Sequence, residues 1–90
     1  MSSDVYLEMT FRHGKPFAGY LHLPRREGDW ACRSRKAAEG LVVDYAEDGR
    51  PIGIEIVSPS IVTVEAVNRV LADLRQDAIE AEELAPLRAG

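Results

Sequence analysis

Four carboxylates, Asp44, Glu47, Asp48 and Glu55, fall within twelve residues of this chain. Clustered carboxylates serve metal binding and general acid/base chemistry, which makes this the first place to look for an activity. In the strand register argued below, Asp44 and Glu55 share one sheet face as diagonal neighbours, a geometry that would hold a cation if another oxygen ligand arrived. A calcium loop needs denser oxygen spacing than this. Glu47 and Asp48 also precede Gly49, in a composition that favours a turn for backbone reasons alone. The simpler expectation is two turn residues and two acids on a solvated face, cross-paired with Arg33 or Arg35.

The remaining candidates are thinner. His13, His22 and Cys32 are the only soft metal ligands, and none are paired closely as tetrahedral zinc prefers. His13 falls in a turn and His22 on the polar face of its strand. Cys32 could act as a nucleophile with its pKa lowered by Arg33 and Arg35, but it falls at an apolar-facing strand position, where a cysteine is a small buried hydrophobe. Gly49 and Gly53 do not open a helix, so no phosphate-binding loop is present. Ser58 and Ser60 flank Pro59 and lack a nucleophile-elbow context. Arg25, Arg26, Arg33, Arg35 and Lys36 near Trp30 could touch single-stranded nucleic acid; the alternative is a solvated face balanced by Asp44 and Glu55.

The elements that must position these groups follow from hydrophobic period. Val5, Leu7, Met9 and Phe11 alternate with polar residues, as in a strand with one buried face. After a turn at His13–Pro16, Phe17, Gly19, Leu21 and Leu23 continue the apolar face. This predicts pairs Phe11–Phe17, Met9–Gly19, Leu7–Leu21 and Val5–Leu23. A third strand is expected over Asp29–Lys36, with Ala37–Gly40 as a loop. In Leu41–Val57 two β-branched runs flank Asp48-Gly49. A two-residue turn there sets Leu41 opposite Ile56, Val43 opposite Ile54 and Tyr45 opposite Ile52, with Asp44 facing Gly53, Val42 facing Glu55 and Pro51 facing Ala46. A three-residue turn would shift the register by one and mix the faces. Ser58-Pro59-Ser60 ends the sheet. Thr63 is the expected N-cap of a helix bearing Glu65 in its first turn, with Val64, Val67, Val70, Leu71 and Leu74 as its apolar stripe. Residues 76–87 either continue this helix or form a second one, stopped at Pro86, and the last four residues fray. Ile79, Leu84 and Leu87 could pack inward or dock on a partner.

The chain holds 90 residues, 46% of them hydrophobic, with a net charge of −4. That length suits one domain, 1–90, with a sheet over 1–60 and a helical segment over 61–87. The acid surplus concentrates after residue 60, where three basic side chains meet six acidic ones. Such a balance argues against non-specific nucleic-acid binding, which needs a basic footprint, and suits a basic partner. A single cysteine permits no intrachain disulfide, as in a reducing cytosol. No run approaches the ~20 apolar residues that span a bilayer, and the N-terminus lacks the pattern of a secretion signal. The expected location is therefore cytoplasmic.

The stretch VVDYAEDGRPIGIEIV resembles the small bacterial family of unknown function DUF2283, whose members repeat the theme V-D-Y-D-x-D-G-x-x-x-G-I-E-I. Val43, Asp44, Tyr45, Asp48, Gly49, Gly53, Ile54, Glu55 and Ile56 match it. Ala46 departs from the usual acid, and the short acidic segment expected before Tyr20-Leu21-His22-Leu23 is replaced by Gly14–Gly19. The resemblance covers about 17–58 and implies a small α+β fold. It offers no catalytic, cofactor or metal residues. It also implies a protein-binding role, as the partner half of a toxin–antitoxin-like pair. The expected architecture is α+β: an antiparallel sheet of four to five strands in two hairpins, covered on one face by a C-terminal helix. The expected role is a non-enzymatic interaction module whose partners are a second copy or a basic protein. The alternative is a small ligand- or metal-binding protein or enzyme using Asp44 and Glu55.

Overall fold

A computed structural model describes residues 5–79 and 82. Strands β1 (Tyr6–Arg12), β2 (Lys15–His22), β3 (Arg33–Ala38), β4 (Leu41–Tyr45) and β5 (Pro51–Ile56) precede a single 3-10 turn at Pro59–Ile61 and helix α1 (Val64–Asp73). The strands form one antiparallel sheet in the order β1-β2-β5-β4-β3. The α+β expectation thus holds, with five strands. Leu21, Leu41, Val43, Ile54 and Ile56 line the inner face and pack with Val67, Val70 and Leu71 of α1 in one buried cluster. Burial of this apolar surface is the main force holding helix to sheet.

The bodies of both hairpins have the expected register, and both tips differ from it. Leu41–Ile56, Val42–Glu55, Val43–Ile54 and Asp44–Gly53 pair as the hydrophobic pattern requires. The turn, however, spans Glu47-Asp48-Gly49: Ala46 N donates to Arg50 O at 2.8 Å, Gly49 N donates to Ala46 O at 2.9 Å, and Gly49 takes φ +93°. This three-residue turn does shift the register by one, so Tyr45 pairs with Pro51 rather than Ile52. A bulge at Ile52 then restores it before Asp44 meets Gly53. The freed Ile52 carbonyl accepts from Leu23 N and from Arg25 Nη2. In the first hairpin Leu7–Leu21 and Met9–Gly19 pair as expected. A two-residue turn, His13-Gly14 with φ +53° and +77°, sets Phe11 opposite Pro16 rather than Phe17. The compensating irregularity leaves Phe11 and Phe17 each about half exposed, with Arg12 stacked 4.1 Å above the Phe17 ring.

The third strand begins four residues later than its apolar residues suggest. Trp30 and Cys32 precede it and are exposed, so Cys32 is not the buried hydrophobe expected. Strand β3 instead runs on to Ala38, taking in Ala37 and Ala38 of the expected loop Ala37–Gly40. On α1, Thr63 Oγ1 accepts from Ala66 N at 3.1 Å, and Glu65 occupies the first turn. The helix ends at Asp73, much earlier than a segment reaching residue 87. Arg75 takes φ +61°, Arg75 N donates to Ala72 O, and Gln76 N donates to Leu71 O at 2.8 Å, closing the end as a Schellman motif. Residues 76–79 therefore neither continue the helix nor begin a second one. Asn68 holds them back along α1: its Oδ1 accepts from Ile79 N at 2.9 Å and its Nδ2 donates to Ile79 O at 3.2 Å. Ile79 is thereby buried in the core. The remaining helical expectations through residue 87, including the stop at Pro86, lie outside the described residues apart from Glu82, as do Leu84, Leu87 and the last four residues.

Candidate functional site

Strand alternation sends the chemistry-bearing side chains to the face opposite α1. Two rows cross that face: Tyr6, His22, Gly53, Asp44 and Ser34, and beside it Glu8, Tyr20, Glu55, Val42 and Lys36. Asp44 and Glu55 do share a face as diagonal neighbours. Arg33 and Arg35 do not join them; they pair with Tyr45 and Val43 and so point to the inner side. The expected cross-pairing of the acids with these arginines does not occur, because the β3–β4 register, with its shift between Lys36 and Ala38, puts Ser34 opposite Asp44 instead.

Asp44 is 7% exposed, and hydroxyls hold both its oxygens. Tyr20 Oη donates to Oδ2 at 2.9 Å, and Ser34 Oγ donates to Oδ1 at 2.6 Å. Tyr20 stands on β2 and Asp44 on β4, with β5 between them. The phenol therefore crosses β5, and it can do so because the intervening residue is Gly53. A Cβ there would collide with Tyr20 Oη and Cζ. Burial, then the bond to Asp44, push the Tyr20 pKa up to about 12. The phenol thus stays protonated and keeps donating at neutral pH. Hydroxyls from β2 and β3 meet on one β4 carboxylate across the sheet. A buried carboxylate is costly unless hydrogen-bonded, and this bonding offsets that cost.

Next to this clamp, His22 stacks on Tyr6 at 4.2 Å between ring centroids, meets the Tyr20 edge at 4.7 Å and places Nε2 2.7 Å from Glu8 Oε1. A depression of about 220 Å³ runs beside Tyr20, Glu8 and Glu55. Among the described residues, no group of three His, Cys, Asp or Glu side chains is placed to hold a metal ion.

The other motif residues have structural places. Asp48 Oδ1 accepts from Arg50 N and its Oδ2 from Arg50 Nε, which fixes the turn that Gly49 closes. Tyr45 packs partly buried against the core. His13 sits in its turn. The basic candidates do not make one surface. Arg25 Nη2 is bonded to Ile52 O, Arg33 and Arg35 lie on one face of β3, and Lys36 lies on the other, within 3.6 Å of Glu39. Ser34 and Glu8 are residues of this face that motif reading did not single out; Tyr20 and His22 entered it only within Tyr20-Leu21-His22-Leu23 and, for His22, as an unpaired soft ligand. The signal for Tyr20 was present: a glycine inside a strand marks a close approach, and Tyr20 is the aromatic diagonal to Gly53.

Residues 18–60 match the family model of DUF2283, described as a protein of unknown function, against 17–58 read from the motif. No curated protein and no solved structure matches the chain.

Proposed function

We propose that this chain, whose residues 18–60 match a family of unknown function, is a non-enzymatic protein–protein interaction module. One observation carries the reading: the most conspicuous acid of the motif, Asp44, is occupied by Tyr20 and Ser34. A carboxylate already holding two hydroxyl protons is poorly placed to take a metal or shuttle a proton. Among the described residues a sheet face and two sheet edges stay open, surfaces that recognise other chains. The net charge of −4 favours a basic protein partner. The partner half of a toxin–antitoxin-like pair is one form of this role, with a small basic protein encoded next door as its counterpart. The alternative of a ligand- or metal-binding protein or enzyme rests on Asp44 and Glu55 sharing a face, and loses its first ligand to the clamp.

The test is co-expression with the products of adjacent genes, followed by light scattering, alongside titration with calcium, magnesium, manganese and zinc. The module reading expects a discrete complex or a defined oligomer and a melting temperature unmoved by any metal. A lone monomer whose melting temperature rises with one metal, and no longer does so in Asp44→Asn, would overturn it.

A further inference from the structure

The two edges of the sheet are chemically unlike. Strand β3 carries Arg33, Ser34, Arg35 and Lys36, all exposed. Any antiparallel pairing of β3 with a second β3 brings cations opposite or diagonal to cations, the usual protection of an edge against unwanted strand addition. Strand β1 has no such guard. Its sequence YLEMTFR holds one acid and one base, with Tyr6 59% and Phe11 47% exposed.

Backbone direction limits how β1 can be used. Leu23 N donates to Ile52 O, so the odd residues of β2 bond β5 and its even residues bond β1, by the alternation of antiparallel ladders. Tyr6, Glu8 and Thr10, which pair with those even residues, therefore face β2. The amides and carbonyls of Leu7, Met9 and Phe11 face away from the sheet. A second β1 must use these same groups, so the permitted registers centre on Glu8, Met9 or Thr10. Centring on Glu8 sets two carboxylates directly opposite. Centring on Thr10 shortens the ladder to Glu8–Arg12. Centring on Met9 pairs all seven residues: Leu7 with Phe11, Glu8 with Thr10 and Tyr6 with Arg12, with each Arg12 diagonal to the other copy's Glu8.

We infer that two copies of this chain join along β1, antiparallel and centred on Met9, into one ten-stranded sheet. The inference rests on the interaction-module reading and names a second copy as a partner. The two-fold axis stands perpendicular to the sheet, so both helices cover one face and both Tyr20–Asp44 clamps share the other. Ten strands remain within the range of open twisted sheets.

Thr10 is the decisive position, being exposed and opposite Glu8 of the second copy. The equilibrium between monomer and dimer is measured by sedimentation for wild type, Thr10→Lys and Thr10→Glu, with circular dichroism to confirm that each variant folds. Lysine is expected to tighten the dimer severalfold and glutamate to weaken it severalfold. In Met9→Cys on a Cys32→Ser background, oxidation is expected to give a covalent dimer, because opposed residues lie within disulfide reach. Weakening by both Thr10 variants would move the centre to Thr10 and overturn this register. A dimer indifferent to both charges, without the disulfide, would overturn the β1 assignment while leaving the module reading intact. A monomer throughout that still forms a complex with a different protein would remove self-pairing alone.

Discussion

Asp44, Tyr20 and Gly53 act as one unit. Replacing Gly53 by alanine puts a methyl group where Tyr20 Oη and Cζ now lie. The ring must leave, Asp44 loses one of its two donors, and a buried carboxylate is left half-satisfied, at a cost of about 1–3 kcal/mol. Alanine is otherwise the better residue inside a strand, by roughly 0.5–1 kcal/mol, so the sign of the change depends on Tyr20. Gly53→Ala is therefore expected to lower the denaturation midpoint in the wild type and to leave it unchanged or raise it in Tyr20→Ala. The double-mutant cycle read from chemical denaturation isolates that coupling; additive effects would mean the ring does not need the glycine. Part of this unit was legible in the chain. The hydrophobic period placed Asp44 opposite Gly53 on the polar face. It could not place Ser34, because the facing of β3 is set by its register on β4, which shifts between Lys36 and Ala38, and such a shift has no hydrophobic signature.

Elements depart from their sequence patterns where backbone geometry outweighs side-chain period. Each hairpin tip shifts the register by one residue, and each strand pair absorbs the shift in a bulge. Period-two reading finds the correct body and misses both tips, since a bulge has no hydrophobic signature. The C-terminal end of α1 is similar. Apolar spacing continues past Leu74, yet Arg75 turns into the left-handed region, and Asn68 holds the returning chain through the Nδ2 and Oδ1 of its side-chain amide. Without the Asn68 side chain, the amide and carbonyl of Ile79, which is 8% exposed, lose their partners. Asn68→Ala is expected to destabilise the domain by about 1–2 kcal/mol. It should also speed amide exchange at Ile79 more than at Val67 within the helix. Equal acceleration at both amides would mean that Asn68 supports the helix rather than the returning segment.

At the scale of the molecule, the sheet needs its distant loops tied together, and Arg50 does this at one end. Its Nη2 donates to Asp29 Oδ1 at 2.8 Å in the connection between β2 and β3, while its Nε donates to Asp48 Oδ2 at 2.7 Å within the β4–β5 turn. The side-chain bond from Arg50 comes first in holding both carboxyls below the usual value of 3.8. The backbone amide of Arg26 adds to this at Asp29, and that of Arg50 itself adds at Asp48. Unfolding releases both acids to their ordinary pKa, so the unfolded chain binds protons more readily. The stabilisation is complete above about pH 4 and is lost as pH falls below it, through the depressed folded-state values. Other carboxylates titrate over the same range, so acid sensitivity alone would not identify this pair. The difference between wild type and Arg50→Gln does identify it. At pH 7 the variant is expected to have the lower urea midpoint, and the gap should narrow as pH falls below about 4, because Asp29 and Asp48, once protonated, offer Arg50 no charge. High salt at pH 7 should narrow the gap as well, chiefly through the Arg50–Asp48 pair, whose carboxylate is about half exposed. A gap of constant size from pH 7 to pH 2 would show that Arg50 stabilises the molecule by packing and neutral hydrogen bonds, with its two ion pairs contributing nothing.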